Sequence, residues 1–468
     1  MAAVGYGNFA FVRKLNEELY ECLLSAEKNT RINFRGSGKF IRDALEKFIT
    51  MAVWEKGVEE AVPSGMDLVD KIWTLRNDYR AMQDAGYLKP GQRLKEYPIL
   101  PNPPDISFVQ LDGDMGTRDL YTFIRQLANT CSHDEREVKP VYPKASYENL
   151  VKALEGFHKI LLQYYGSKRL NGRVPNFDKD TMAIAEFAIE KAYVPSDHLR
   201  SQCQQEFLGY TLDEDGEPGF YALIRLYNRS ELGDAFMLRN QKCFLEACKL
   251  CMSGIPEGMT RLRELTPGRG GASDFYMICY IFNRKPQPLD NETLKGMNRK
   301  QRLEICARLA RCIDDLHQSE VPIYHRMLSY ESVYVSKFRD KWIPYVIKFD
   351  YAKIDSSRPV ETVYAPAQKA KDRLKSLGRD KYLAPEWDLL GAGATAEDWA
   401  KVDVYSLGVL MGDIIKGSFD SNLVSYDELL EADVPPMVMD ALGAMLCDDP
   451  EERCTMDLVR EIFDVEIR

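Results

Sequence analysis

The sequence predicts a mixed α+β chain in which a helical first part precedes a small strand-rich piece and then a larger helical piece. Apolar residues recur at helical spacing from residue 8 to about residue 166. Near 205–228 the pattern changes to two apolar runs, FLGYTL and FYALIRLYN, on either side of DEDGEPG, whose Asp-Gly step is a hairpin signal. From Arg302 onward helical spacing returns.

In the first part, FVRKLNEELYECLLSAE carries Leu15, Leu19 and Leu23 on one stripe, and SGKFIRDALEKFITMAVWEKG carries Ile41, Leu45, Phe48 and Ile49 on another. MDLVDKIWTLRNDYRAMQDAG and RDLYTFIRQLANTCSHDE predict two more helices. LPNPPDIS between them is a loop, because proline withdraws backbone donors and restricts its neighbour. ENLVKALEGFHKILLQYYG predicts another amphipathic helix, and the polar SKRLNGRVPNFDKD after it a linker. Further strands are expected in DFYMICYIF, Val333–Val335 and YVIKFDY. There is no internal repeat and no low-complexity tract.

The chain has 468 residues, room for two or three domains, with 45% hydrophobic and 29% charged residues, the balance of a protein that buries a core. A net charge of -10 argues against general binding to nucleic acid or anionic membranes. No apolar run approaches the ~18 residues a membrane span needs, and MAAVGYGNFAFVRKLNEELY lacks the layout of a signal peptide, so a cytoplasmic protein is expected. The 11 cysteines, an odd number among apolar residues, suit reduced core thiols. Cys248 and Cys251 form a CxxC with Cys243 nearby, but no second pair follows at zinc-site spacing and FLEACKLCM reads as helix.

Five motifs in the second half stand in a fixed order. RLEICARLARCIDDLHQSEVPIYHRMLSYESVYV contains His325-Arg326-Met327, YVIKFDYAKI contains Asp350-Tyr351-Ala352, and KYLAPEW contains Ala384-Pro385-Glu386. KVDVYSLGVLM with Asp403 and LCDDPEERCTMDLV with Arg453 complete the series. Together these resemble a protein kinase over about 260–290 residues, from Thr181 to Arg468. The resemblance implies a bilobal fold, with a small lobe at about 181–290 and a large lobe at about 291–468. It also implies a structural ion pair of Glu386 with Arg453, and Asp403 bracing the catalytic loop.

The residues that this resemblance assigns to chemistry are the ones that change. Phosphoryl transfer needs a Lys on the phosphates, metal held by Asp and Asn, and an Asp accepting the substrate proton. The base position is Met327, whose thioether has no useful basicity. Ser329 and Ser332 stand at the Lys and Asn positions of the loop. Arg225 in FYALIRL replaces the strand lysine, and a planar fork is not equivalent to an ammonium. Glu246 in CFLEACKL is its expected helix partner. No glycine precedes Gly209 from Ala183 onward, so the phosphate-cradling Gly-rich loop is missing. Asp350 is the retained metal-binding candidate, a weak Mg²⁺ site alone that nucleotide phosphates would complete. The basic KAKDRLKSLGRDK lies where kinases have an activation segment, and a solvated face is its plainer reading.

IRQLANTCSHDE and KALEGFHKILLQYY, with FIRDALEKFI upstream, resemble helical domains of the HEPN group over residues 8–166. The corresponding positions are Arg125, Ala128, Asn129 and His133. Many HEPN members are metal-independent RNases that use Arg-x-x-x-x-His as general acid/base and phosphate-stabilising groups across a dimer. Here the residue five before His133 is Ala128, so that pattern is not matched. The resemblance implies a dimerising or docking role.

The expected domains are therefore 8–166, HEPN-like and all-helical; 167–180, a linker; and 181–468, kinase-like. The leading function is a regulatory scaffold or sensor that binds a protein partner, with ATP and Mg²⁺ as the candidate cofactor. A homodimer through the helical domain and a bacterial defence setting are implied by resemblance only. Two alternatives belong to other classes: a HEPN-type ribonuclease acting on RNA, and an atypical kinase or nucleotide transferase. The latter would need a displaced group in the cleft, such as Lys191, Glu331 or Asp340.

Overall fold

Four of the helix starts in the first part, those of α1, α2, α4 and α5, are fixed by side chains that accept from the backbone donors a helix leaves unpaired. Asn16 caps α1 (Glu17–Asn29) by accepting from Leu19 N, and Asn33 caps α2 (Phe34–Lys56) by accepting from Gly36 N. α2 stops at Gly57, whose φ of 60° is the left-handed conformation that glycine adopts without strain. α3 (Leu68–Leu75), α4 (Leu120–Ser132), capped by Asp119, and α5 (Tyr147–Arg169), capped by Ser146, follow among the described residues. The computed structural model describes residues 6–59, 62–76, 99–133, 137–170, 174–193, 203–213, 216–228, 261–265, 275–354, 380–388, 390 and 394–466.

α2 packs on α1, α4 and α5, and the apolar stripes read from the sequence meet there in one core that includes Leu19, Leu23, Leu45, Phe48, Leu127 and Phe157. Gly38 lets α2 and α4 approach closely: a Cβ there would lie 2.3 Å from the Cys131 sulfur. The expectation of an all-helical first domain is corrected by a hairpin, β1 (Ile106–Val109) antiparallel to β2 (Met115–Arg118). Its turn uses Asp112-Gly113, with Gly113 at φ 90°.

The chain divides into two units, of which the first takes in Met1–Ala192 and the second Tyr193–Leu208, Gly219–Thr266 and Tyr276–Arg468. Phe177, Met182 and Ala183, placed beforehand in the linker or just after it, pack on the helical core. Glu27 of α1 holds that segment. Its carboxylate is 1% exposed and accepts from Asn8 N at 3.0 Å and Ala183 N at 3.1 Å.

Burial pushes Glu27 up to about 7, against the pull of those two N–H donors and of Arg31. A carboxyl raised in the folded state adds stability below its unfolded value, and that stability is lost as pH rises through the folded one. His158, buried among Phe9, Phe11 and Phe177, is driven by burial down to about 4 and acts in the opposite sense over part of the same window. Glu27→Gln removes only the first effect. Wild type is therefore expected to lose roughly 2–3 kcal/mol relative to Glu27→Gln between pH 4.5 and 8. Urea titrations at several pH values measure this, and a pH-independent difference would contradict it.

β4 (Cys203–Leu212), β5 (Pro218–Asn228), β7 (Phe275–Phe282) and β6 (Arg261–Leu265), which fall mostly in the second unit, lie side by side in that order, β3 being Ala188–Tyr193. The hairpin expected around DEDGEPG is present, with Asp213 N donating to Glu217 O at 2.9 Å and Gly216 at φ 84°. β8 (Gln287–Pro288), β10 (Val333–Phe338) and β11 (Lys341–Val346) form a second sheet in the order β11-β10-β8, and β9 (Ile323–Tyr324) pairs with β12 (Lys353–Ile354).

Among the described residues, the helices of the second unit are α6 (Asn291–Lys295), α7 (Arg299–His317), α8 (Ala396–Lys416), α9 (Tyr426–Glu431), α10 (Pro436–Met445) and α11 (Met456–Glu466). Capping boxes start α7 at Asn298/Gln301 and α8 at Thr395/Asp398. α8 is buried continuously from Val402 to Ile415, as a helix apolar on all sides must be, and α7 packs between it, α11 and β11. Among the described residues no helix is long and apolar enough to cross a membrane, and no disulfide is present.

Candidate functional site

β5 runs buried from Ala222 to Tyr227, and Arg225 is its one charge. A guanidinium inside an apolar strand requires opposite charge and hydrogen bonds around it. Three groups supply them. Arg225 Nε donates to Glu206 Oε2 on β4 at 3.0 Å, and Nη1 donates to Asp350 Oδ2 at 2.5 Å and to the Tyr227 hydroxyl at 2.6 Å. Glu206 also faces the Lys348 ammonium at 3.7 Å and accepts from the Tyr334 hydroxyl at 3.2 Å. The result is two carboxylates and two cations, with the Arg225 and Asp350 side chains each 1% exposed.

Burial alone would raise the Asp350 carboxyl, but the charge and hydrogen bond of Arg225, helped by Tyr227 and Lys348, outweigh it and leave Asp350 below its ordinary value. Lys348 sits at φ 67°. Its N–H and that of Phe349 both donate to the Tyr280 hydroxyl, at 2.9 and 3.4 Å, so β7 pins the turn that carries Asp350.

The second assembly is built around Asp403 of α8, which is fully buried. Its two oxygens accept from His325 N and Arg326 N, each at 2.7 Å, and the His317 ring lies 3.1 Å away. Arg326 is thereby held at φ 69°, with its guanidinium 4.2 Å from the centroid of the Trp399 ring. His325 Nε2 lies 2.9 Å from Ile347 O. Met327, next in the loop, is buried. Ser329 and Ser332 bond to each other: Ser329 N donates to Ser332 Oγ at 3.0 Å, and that hydroxyl donates to Ser329 O at 2.8 Å. Glu386 and Arg453 form a bidentate pair at 2.5 and 2.8 Å. The remaining donors of Arg453 reach the carbonyls of Cys447, Lys401 and Asp448.

These two assemblies bring Arg225 to Asp350 and hold His325, Arg326, Met327, Ser329 and Ser332 in one loop. Glu206, Lys348 and Tyr334 were missed in the sequence: Glu206 belongs to no motif, and Lys348 and Tyr334 stand inside the quoted segments YVIKFDYAKI and SYESVYV without a role there. The available signal was Arg225 itself, whose position in an apolar run demands a buried acid. Glu246, Cys243, Cys248, Cys251 and most of KAKDRLKSLGRDK lie outside the described residues. Lys191 and Asp340 are exposed and Glu331 is half-buried.

In the first unit, Arg125, Asn129 and His133 occupy successive turns of α4, His133 being the residue that ends it. Arg42 of α2 donates to Asn129 Oδ1 at 3.3 Å, and the exposed His133 ring is 3.8 Å from Glu137.

Mg²⁺ with ATP is the group implied by the sequence resemblance, and the residues do not fit it. Asp350 is already spent on a buried arginine, the Ser332 hydroxyl on its own turn, and among the described residues no cluster of three or more His, Cys, Asp or Glu is arranged to hold a metal.

No family model matches the chain, and no curated protein matches it. Among solved structures the chain is similar to the kinase domain of PknI from Mycobacterium tuberculosis, in a double mutant. The identity is 14% and the TM-score 0.39, over 62% of this chain and 98% of that one.

Proposed function

We propose that the second unit is a kinase-like fold without phosphotransfer, serving as a regulatory scaffold or sensor for a HEPN-like helical unit. One observation carries this reading: the carboxylate expected to hold metal is closed off in a buried ion-pair cluster with Arg225, Glu206 and Lys348. A kinase must turn that carboxylate toward Mg²⁺ and free a cation for the phosphates. Here each charge already has a partner in a desolvated place, where exchanging partners costs several kcal/mol. The framework contacts support the same reading, since Asp403 and the Glu386–Arg453 pair keep the loop and the helical piece in order while Met327 offers no base.

The test has two arms. A melting curve with ATP and Mg²⁺ is expected to stay in place, whereas a ligand at a hundred times its Kd would add about 2.7 kcal/mol. Phosphate transfer from labelled ATP is expected to be absent. A clear rise in melting temperature, or transfer abolished by Asp350→Ala, would overturn the reading in favour of an atypical kinase. The ribonuclease alternative is favoured by the alignment of Arg125, Asn129 and His133 on α4 with Arg42 beside them. RNA cleavage lost in both Arg125→Ala and His133→Ala would establish it, and cleavage unchanged in both would remove it.

A further inference from the structure

The turn that joins β10 to β11 gathers charge of one sign. Lys337, Arg339 and Lys341 come from the hairpin itself, and Arg284 and Lys285 from the segment before β8; the one carboxylate in these two stretches is Asp340. Two contacts fix that meeting: β8 pairs with β10, and the Ser336 hydroxyl donates to Arg284 O at 3.3 Å. Lys295 and Arg299, a little further along the chain, each hold a carboxylate, at 2.6 and 2.8 Å. Among the described residues Arg284, Lys337, Arg339 and Lys341 hold none. Cations gathered without counter-charge repel one another and leave a positive field for a ligand to neutralise. Two further features do not follow from charge. The register Phe338↔Lys341 leaves Arg339-Asp340 as a two-residue turn with Arg339 at φ 53°, a conformation that glycine or asparagine takes with less strain. Phe338, 40% exposed, carries the guanidiniums of Arg284 and Arg339, with Cζ at 3.7 and 5.2 Å from its ring centre. No hydrogen bond from another group among the described residues engages either guanidinium, so their edges are left to donate.

We propose that this turn binds single-stranded nucleic acid. The lysines and the guanidinium edges take phosphates, and a base stacks against the layer that Phe338 and the two arginines form. An arginine kept at a position that turn geometry assigns to smaller residues is a local strain that a binding role explains. The planar layer selects the polymer: an acidic peptide would satisfy the charges and leave the stacking surface unused, whereas a single strand supplies phosphates and unstacked bases together. The net charge of -10 does not oppose this, because charges on the rest of the surface are screened beyond about 10 Å. The site lies within the second unit and rests neither on the buried ion-pair cluster nor on cleavage by the first unit.

The test is fluorescence anisotropy of the full chain with a labelled twelve-nucleotide oligodeoxythymidine. That strand lacks the 2′-hydroxyl through which RNA is cleaved, so binding is read apart from the ribonuclease alternative. It is expected to bind, with log affinity falling against log salt at a slope of about -2 to -3, as three or four neutralised phosphates give. Lys337→Gln with Lys341→Gln should weaken binding at least about 10-fold and flatten that slope by about 1.4. Phe338→Ala should weaken it at least about 5-fold and leave the slope in place, while Phe338→Trp keeps the affinity. An acidic peptide of equal charge should compete at least about 10-fold less well. All three substituted positions are exposed, so unchanged melting temperatures of these variants separate lost binding from lost fold. No binding of the strand, equal competition by the acidic peptide, or full affinity in either the lysine or the Phe338→Ala variant would overturn the proposal.

Discussion

Arg225→Met is expected to destabilise the second unit by about 3–5 kcal/mol, because it leaves Glu206 and Asp350 buried with only Lys348 to balance them. Methionine fills much of the same volume and keeps the strand apolar, so the loss reports charge rather than a cavity. The pH dependence separates this from ordinary packing damage. In wild type Asp350 lies below its ordinary value, and such a carboxyl contributes stability above its unfolded value that is lost as pH falls through the folded one. Without Arg225 the largest remaining influence is burial, which raises the carboxyl. The variant then gains stability toward acid, where the stranded carboxylates take up protons. Chemical denaturation at pH 5 and pH 8 should show the deficit shrinking at the lower pH. Adding Asp350→Asn and Glu206→Gln to Arg225→Met should recover a large part of the loss, since removing all partners of a buried cluster costs far less than removing one. A deficit of under about 1 kcal/mol, independent of pH, would mean that the cluster is open to water and that its closure cannot support a non-catalytic reading.

That cluster also shows what the sequence could and could not disclose. The motifs around His325, Asp350, Glu386, Asp403 and Arg453 are local signatures; the pairing of Glu386 with Arg453 and the bracing of the loop by Asp403 follow from positions in a known order, whereas the pairing of Asp350 with Arg225 does not. Arg225 itself was legible by its position. Glu206 was not: it lies 19 residues from Arg225 in QQEF, without a motif. Lys348 was hidden too, because a lysine beside an apolar run ordinarily keeps its charge in water. The prolines of LPNPPDIS mask the β1–β2 hairpin in the sequence, although Asp112-Gly113 between short apolar runs carries a turn signal. SKRLNGRVPNFDKD has linker composition, while Glu27, 156 residues from Ala183, ties the segment after it to α1, a contact that local composition does not show. Local periodicity and turn chemistry survive in a sequence read alone. Which buried charge answers which does not, because it depends on contacts between distant segments.

Asp403→Ala is expected to cost a similar amount, about 3–5 kcal/mol, by a different route. The alanine leaves the N–H groups of His325 and Arg326 buried without their acceptor, and each such donor costs about 1–3 kcal/mol. The loop would also lose what holds Arg326 at φ 69°, a conformation that an arginine adopts only when its surroundings impose it. Asp403→Asn is the sharper comparison. An amide keeps the shape but presents one carbonyl and one NH₂, so one of the two backbone donors meets another donor. It should therefore recover only part of the loss, whereas an effect due to volume alone would be fully recovered by the near-isosteric amide. Urea denaturation of both variants measures the difference. Asp403→Asn matching wild type would mean that the loop needs only a filled space at 403, and the ordered but base-less loop proposed here would lose the contact that orders it. Asp403 lies 78 residues from His325 and binds its backbone rather than any reacting group, so its contribution to the loop is separable from the chemistry of residue 327.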